Sequence, residues 1–176
     1  AQRFALGGER AQVFEVGGGR ILNVGLSNNA DADADGFARG VAFARDGTRL
    51  VTVQQGVHRS TFGNNPDTAT EVSLYNVGTG VELDSKTEFV SVEDDPSSRF
   101  ADAVADPTDD RVAVASAIRP TTVYVLGTGG LTQAESFGGG ASSIDWAHSS
   151  LYVADSDDAF SNSGEGDTWR VFASLP

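Results

Sequence analysis

Three aspartates at alternate positions, Asp31, Asp33 and Asp35, closed by Gly36, are the residues of this chain best spaced for metal chemistry. Alternate carboxylates on a loop converge on one cation, and the glycine permits the tight turn that brings them together, as in the first half of a calcium loop. An EF-hand would place Glu at the twelfth loop position, which is Ala42, so that arrangement fails. Two readings stand: calcium held by Asp31, Asp33 and Asp35, and a hydrated acidic linker. Two further acidic runs, Glu93-Asp94-Asp95 and Asp155-Ser156-Asp157-Asp158, show no ligand spacing and read as hydrated loops.

Nucleophilic or histidine chemistry has less to work with. The two histidines, His58 and His148, fall in an insertion and in a hairpin turn, where nothing nearby would set a tautomer or a pKa. Serines and aspartates are plentiful, but no nucleophile-elbow sequence supports a Ser-His-Asp triad. The glycine runs at 17–19 and 138–140 open no helix, so they are turns and not phosphate cradles. No credible catalytic constellation emerges.

The elements that must position these residues are strands. β-branched and aromatic residues cluster in segments of four to seven, bounded by Gly, Asp, Asn and Pro, and no window shows helical periodicity. Strands are expected at 3–6, 12–16, 21–25, 41–44, 50–54, 71–77, 82–89, 101–105, 112–117, 122–126, 133–137, 143–146, 151–154 and 169–172. Between some of them lie turn formers, Arg45-Asp46-Gly47-Thr48 and Pro107-Thr108-Asp109-Asp110. A two-part phrase recurs. Val41-Ala-Phe-Ala-Arg-Asp-Gly-Thr-Arg-Leu-Val-Thr-Val53 returns at 103–115 and, more loosely, at 144–154. Val72-Ser-Leu-Tyr-Asn-Val-Gly-Thr-Gly80 returns at 122–130, with an earlier copy at 11–19 and a truncated one at 169–172. A unit repeating every 40–60 residues, roughly, marks an array in which each unit buries its face against the next.

The chain parses into four units within one repeat-array domain, 1–30, 37–92, 98–138 and 141–176. The first lacks its opening strand, the second carries an insertion at 58–69, and the last lacks its closing strand. The fold class expected is all-β, a β-propeller or propeller segment of about four blade-like units of antiparallel strands. A β-sandwich also shows short strands at regular spacing, but it does not require repeats that resemble one another.

Units two and three resemble blades of the lactonase-like and tryptophan–aspartate-repeat-like β-propellers. There an apolar strand, an Asp-Gly turn and a second strand lead to a strand closed by a Thr-Gly turn. No unit here has the Trp-Asp pair at a strand end, and unit four has His148-Ser149-Ser150 in place of the Asp-Gly turn. Asp31, Asp33 and Asp35 are similar to the short calcium loops that some blades carry, although Arg39 replaces their ninth-position aspartate. Gly166, Thr168 and Trp169 resemble the Asp-box turn of sialidase-like propellers, with Gly164 in place of its aspartate. The resemblance implies the fold more than any activity, since propellers host unrelated functions. Lactonase-like and phytase-like relatives would imply a calcium-assisted hydrolase, for which Asp46, Asp102, Asp106 and Asp145 are the carboxylates to inspect.

Composition narrows the partners. Twenty-five acidic against twelve basic residues give a net charge of −13, a surface that repels phosphate backbones and disfavours nucleic acid. No run approaches the roughly 18 apolar residues of a membrane helix, so no membrane span is expected. With no Cys, disulfides and thiolate metal sites are excluded. The Ala1-Gln2 start suits a chain trimmed after secretion, so an extracellular or cell-surface location is expected. The expected function is a non-catalytic binding or assembly module that associates with itself or with another protein. The alternative is the calcium-assisted hydrolase.

Overall fold

The computed structural model describes residues 2–7, 11–24, 37–59, 66–91, 101–116, 119–137, 141–155 and 169–172. Every regular element in them is a strand, and the strands form four antiparallel sheets in chain order. The first contains β1 (Arg3–Leu6), β2 (Ala11–Glu15) and β3 (Arg20–Val24). The second contains β4 (Phe37–Phe43), β5 (Arg49–Arg59), β6 (Pro66–Asn76) and β7 (Glu82–Ser91). The third contains β8 (Ala101–Ala105), β9 (Arg111–Ser116), β10 (Arg119–Leu126) and β11 (Leu131–Phe137). The fourth contains β12 (Ala141–Ala147), β13 (Ser150–Asp155) and β14 (Trp169–Phe172). Each sheet is an up-and-down antiparallel meander, the blade of a propeller. The chain is thus an all-β propeller segment of four blade-like sheets. No ladder joins the first sheet to the fourth among the described residues, so the array is not closed by strand pairing.

The sheets stack in sequence. β1 packs on β4, β4 and β5 on β8, and β8 and β9 on β12. This succession of seams, with no two-sheet sandwich, follows from strands that are apolar on both faces. In β5, Leu50 and Val51 are both fully buried although they point to opposite faces. Leu50 joins Tyr75, Val77, Ala11 and Val13 in the seam with the first sheet. Val51 joins Val53, Leu74, Val112 and Val114 in the seam with the third. The third seam gathers Ala113, Ala115 and Val123 with Ile144, Trp146 and Leu151. Each such aliphatic side chain contributes about 1.5–3 kcal/mol when fully buried. We call the side of a sheet toward its predecessor the leading face, and the side toward its successor the trailing face.

Backbone hydrogen bonds fix the equivalence of the sheets. Val16 N donates to Gln2 O at 2.9 Å, Val77 N to Thr48 O at 2.8 Å, and Leu126 N to Asp110 O at 2.8 Å. A register irregularity recurs at the matching step, Val13/Phe14, Leu74/Tyr75 and Val123/Tyr124. Residues Arg3, Arg49 and Arg111 therefore occupy one repeated position at the start of β1, β5 and β9. Inner strands approach closely at Gly40, where an added Cβ would lie 2.5 Å from Ala103 N and 2.6 Å from the Asp102 carbonyl carbon.

The insertion at 58–69 differs from expectation. Its described residues extend the β5–β6 pairing, which continues without a break through Gly56↔Ala69, His58↔Asp67 and Arg59↔Pro66. Backbone ladders do not require apolar side chains, so a largely polar stretch continues the strands into the expected insertion.

Candidate functional site

The hairpin turns at one end of the sheets carry most of the ionic chemistry. In the β4–β5 turn, Gly47 takes φ 66°, Gly47 N donates to Ala44 O, and Ala44 N donates to Arg49 O. Asp46 Oδ1 accepts the Thr48 amide at 2.8 Å, which holds the turn. Its Oδ2 accepts Arg49 Nε at 3.1 Å and Nη2 at 2.9 Å. Arg49, itself buried, then crosses the seam to the third sheet: Nη1 donates to Leu126 O at 2.7 Å and Gly127 O at 2.9 Å, and Nη2 to Asp110 at 3.0 Å. Arg45 Nη1 adds a bond to Thr108 O at 2.6 Å. The planar guanidinium makes this clasp possible, because its fork reaches carboxylates and carbonyls together.

The β8–β9 turn repeats the device with a shifted aspartate. Asp106 is completely buried; Oδ1 accepts the Thr108 amide and hydroxyl, each at 2.7 Å, and the Asp109 amide at 3.2 Å. Oδ2 accepts Arg111 Nε at 3.0 Å and Nη2 at 2.7 Å. The Arg111 guanidinium lies 5.4 Å from the Trp146 ring centroid, a cation–π contact across the next seam. Burial alone would raise the Asp106 carboxyl, but the Thr108 and Arg111 hydrogen bonds and the Arg111 charge outweigh it and hold the pKa below the ordinary value. Asp46 behaves the same way, burial being outweighed by its bonds from Thr48 and Arg49.

Two of the four carboxylates nominated for hydrolysis, Asp46 and Asp106, are therefore engaged in turns and arginine clasps. Asp102, on β8, is half-buried; burial pushes its pKa up against the bond it accepts from the Ala103 amide. Asp145, on β12, is exposed, and its Oδ1 accepts the Trp146 amide. No group of three or more metal-ligating side chains is assembled among the described residues.

Other candidates divide between seen and unseen. Asp31, Asp33 and Asp35 lie outside the described residues, as do Glu93-Asp94-Asp95, Asp157, Asp158 and the segment 163–168. His148 sits in the β12–β13 turn with φ 56°, and His58 lies in β5. Gly17, with φ 80°, is a turn residue. Between the second and third sheets a cleft lined by Thr70, Ser116, Thr122 and Tyr124 has a volume of about 20 Å³. That is room for a water molecule and far below what an organic ligand needs. No helix among the described residues is long and apolar enough to cross a membrane.

The larger feature is apolar and exposed. Phe4, Leu6, Val16 and Ile21 all belong to the first sheet and its turn, and all are exposed. Phe4 stacks on Phe14 with ring centroids 5.1 Å apart, and the two are cross-strand partners on one face. The sequence carried signals for both features that were not used. Arg49 and Arg111 precede the apolar strand in two copies of the first phrase, with Leu50 and Val112 after them, and Arg3 and Phe4 stand in the same order in β1, whereas Ser150 takes that place in the copy at 144–154.

No family model and no curated protein sequence matches this chain. Among solved structures, one chain of a crystal structure of a mitotic checkpoint complex superposes with a TM-score of 0.41 at 11% sequence identity. The match covers 96% of this chain and 59% of that one, so this chain spans well under two thirds of its length.

Proposed function

We propose that this chain is a non-catalytic propeller segment that serves as a binding and assembly module outside the cell or at its surface, associating with itself. The observation that carries this reading is the cluster of exposed apolar side chains on the first sheet, Phe4, Leu6, Val16 and Ile21. Contiguous exposed apolar surface marks interaction sites in soluble proteins. The engagement of Asp46 and Asp106 by arginine supports the non-catalytic part, because those carboxylates are held where they brace turns. Calcium bound by Asp31, Asp33 and Asp35 enters this reading as a structural ion. Native-only binding would raise the melting temperature, by about 2.7 kcal/mol of stabilisation at a hundred times the dissociation constant. Asp33→Ala should remove that response, and an equal response in both proteins rules the loop out.

Size-exclusion chromatography with light scattering tests the assembly reading. Particles heavier than the 18.3 kDa chain are expected, and a strict monomer at every concentration overturns it. Turnover of a lactone or phosphate ester by the purified protein with calcium overturns the non-catalytic part.

A further inference from the structure

The seam between the second and third sheets is apolar along its middle and polar at both ends. The Arg49 clasp closes one end, beside Asn76, its partner in the ladder, and the Leu126 carbonyl. In the middle, Val72 of β6, Val114 of β9 and Tyr124 of β10 belong to one apolar cluster. Two positions farther from the clasp, the same rows change to Thr70, Ser116 and Thr122. Residues two apart on a strand share a face, so three strands bring three hydroxyls to one level of the seam. All three line the cleft described above.

The backbone beside the cleft is irregular. β9 pairs with β10 at Arg119↔Ser116 and again at Thr122↔Val114, so Pro120 and Thr121 stand opposite the single residue Ala115. A bulge of this kind leaves one residue out of the ladder, and proline brings no N–H to it. Ala115 and Pro120 are both in the lining.

The hydroxyl on the other wall has nothing to bond. Thr70 is 5% exposed, and no group among the described residues bonds its Oγ1. A hydroxyl buried without a partner destabilises a fold, and native structures satisfy such groups with protein or with ordered water. Across the cleft, Ser116 and Thr122 are 2% and 8% exposed. The Thr122 Oγ1 contacts, to Pro120 O and Ser136 Oγ, are both long at 3.3 Å, which leaves this hydroxyl capacity for a shorter bond.

We propose that the cleft is a site for one ordered water, held by the Thr70, Ser116 and Thr122 hydroxyls and bridging the second sheet to the third. Its volume of about 20 Å³ is close to the roughly 10–15 Å³ that a single water needs. Three hydroxyls supply the two to four polar partners that a buried water takes. The lining residues include no carboxylate, so a metal cation would find no charge there to replace its hydration shell. The two ends of the seam are then closed differently, by the guanidinium fork of Arg49 at one and by water at the other.

An atomic-resolution crystal structure and a short substitution series at Thr70 test the site. The parent should show a water within about 2.7–3.2 Å of Thr70 Oγ1 and of the Ser116 or Thr122 hydroxyl. Thr70→Ser keeps the hydroxyl and should keep the water. Thr70→Val keeps the shape and should lose the water, and its urea midpoint should fall below that of the parent. If the hydroxyl were merely stranded, the same substitution would raise the midpoint by removing an unsatisfied polar group. A dry cleft in the parent, a Thr70 hydroxyl bonded to protein, or a Thr70→Val midpoint at or above that of the parent each overturns the proposal. Oxygen ligands closer than about 2.6 Å around the bound species would identify a cation, and that result overturns it too.

Discussion

Replacing Arg49 by Ala should destabilise the array far more than replacing its neighbour Arg45. The Arg49 guanidinium is buried and donates to two main-chain carbonyls and two carboxylates on both sides of a seam. Asp46 and Asp110 are 40% and 45% exposed and regain water when the arginine is removed, so each contributes at most about 1 kcal/mol. The Leu126 carbonyl is buried and would be left without its donor, which costs about 1–3 kcal/mol. The lost packing of the arginine stem adds to this. A total of about 2–4 kcal/mol follows, against about 0.5 kcal/mol for Arg45→Ala, whose single bond is exposed. Urea unfolding followed by circular dichroism reads the difference. At a slope of about 1–3 kcal/mol per molar, the midpoint of Arg49→Ala should fall by roughly 1 M or more. Arg49→Lys, which keeps the charge and loses the fork, should fall between the two. Equal midpoints for Arg49→Ala and Arg45→Ala would refute the claim that this side chain holds the second and third sheets together.

Asp106 has a depressed folded pKa, so its stabilisation is complete above the unfolded value of about 3.9 and is lost as pH falls through the lower folded value. The gap in melting temperature between the parent and Asp106→Asn should be constant from about pH 7 to 5 and shrink below about pH 4; a gap unchanged in acid contradicts the pairing. Gly40→Ala should cost about 1–3 kcal/mol, because the new methyl group meets Asp102–Ala103 backbone and not a yielding side chain; a melting temperature within a degree of the parent would show that the inner strands are not so close. His148→Gly should stabilise the fourth sheet by up to about 1 kcal/mol by relieving a positive φ, and a lower melting temperature would show that the imidazole has another role.

Local chemistry was legible in the sequence and distant chemistry was not. The turn at 45–48 could be read from Asp46 and Gly47, because the hydrogen bonds and positive φ that define it lie within a few residues. The strands were legible because apolar bursts such as 50–53 suit a ladder buried on both faces. The role of Arg49 was hidden, since three of its partners, Asp110, Leu126 and Gly127, lie more than sixty residues away. Asp46 and Asp106 were recognised as carboxylates but considered only for the alternative calcium-assisted site. They fall at different positions of the repeated phrase, Asp46 in the turn and Asp106 at the place of Ala44, so the shared arginine was not seen to connect them. The extension of β5 and β6 through 59 and 66 lies beyond the expected strands 50–54 and 71–77 because its residues are largely polar, a property to which backbone pairing is indifferent.

The central claim is that the sheets of this chain stack leading face on trailing face in chain order. A crystal structure of the purified protein tests it most directly. The predicted result is Val51 seated with Val112 in one seam and Ala113 with Leu151 in the next. Two sheets packed face to face as a sandwich, with neither seam present, would contradict it.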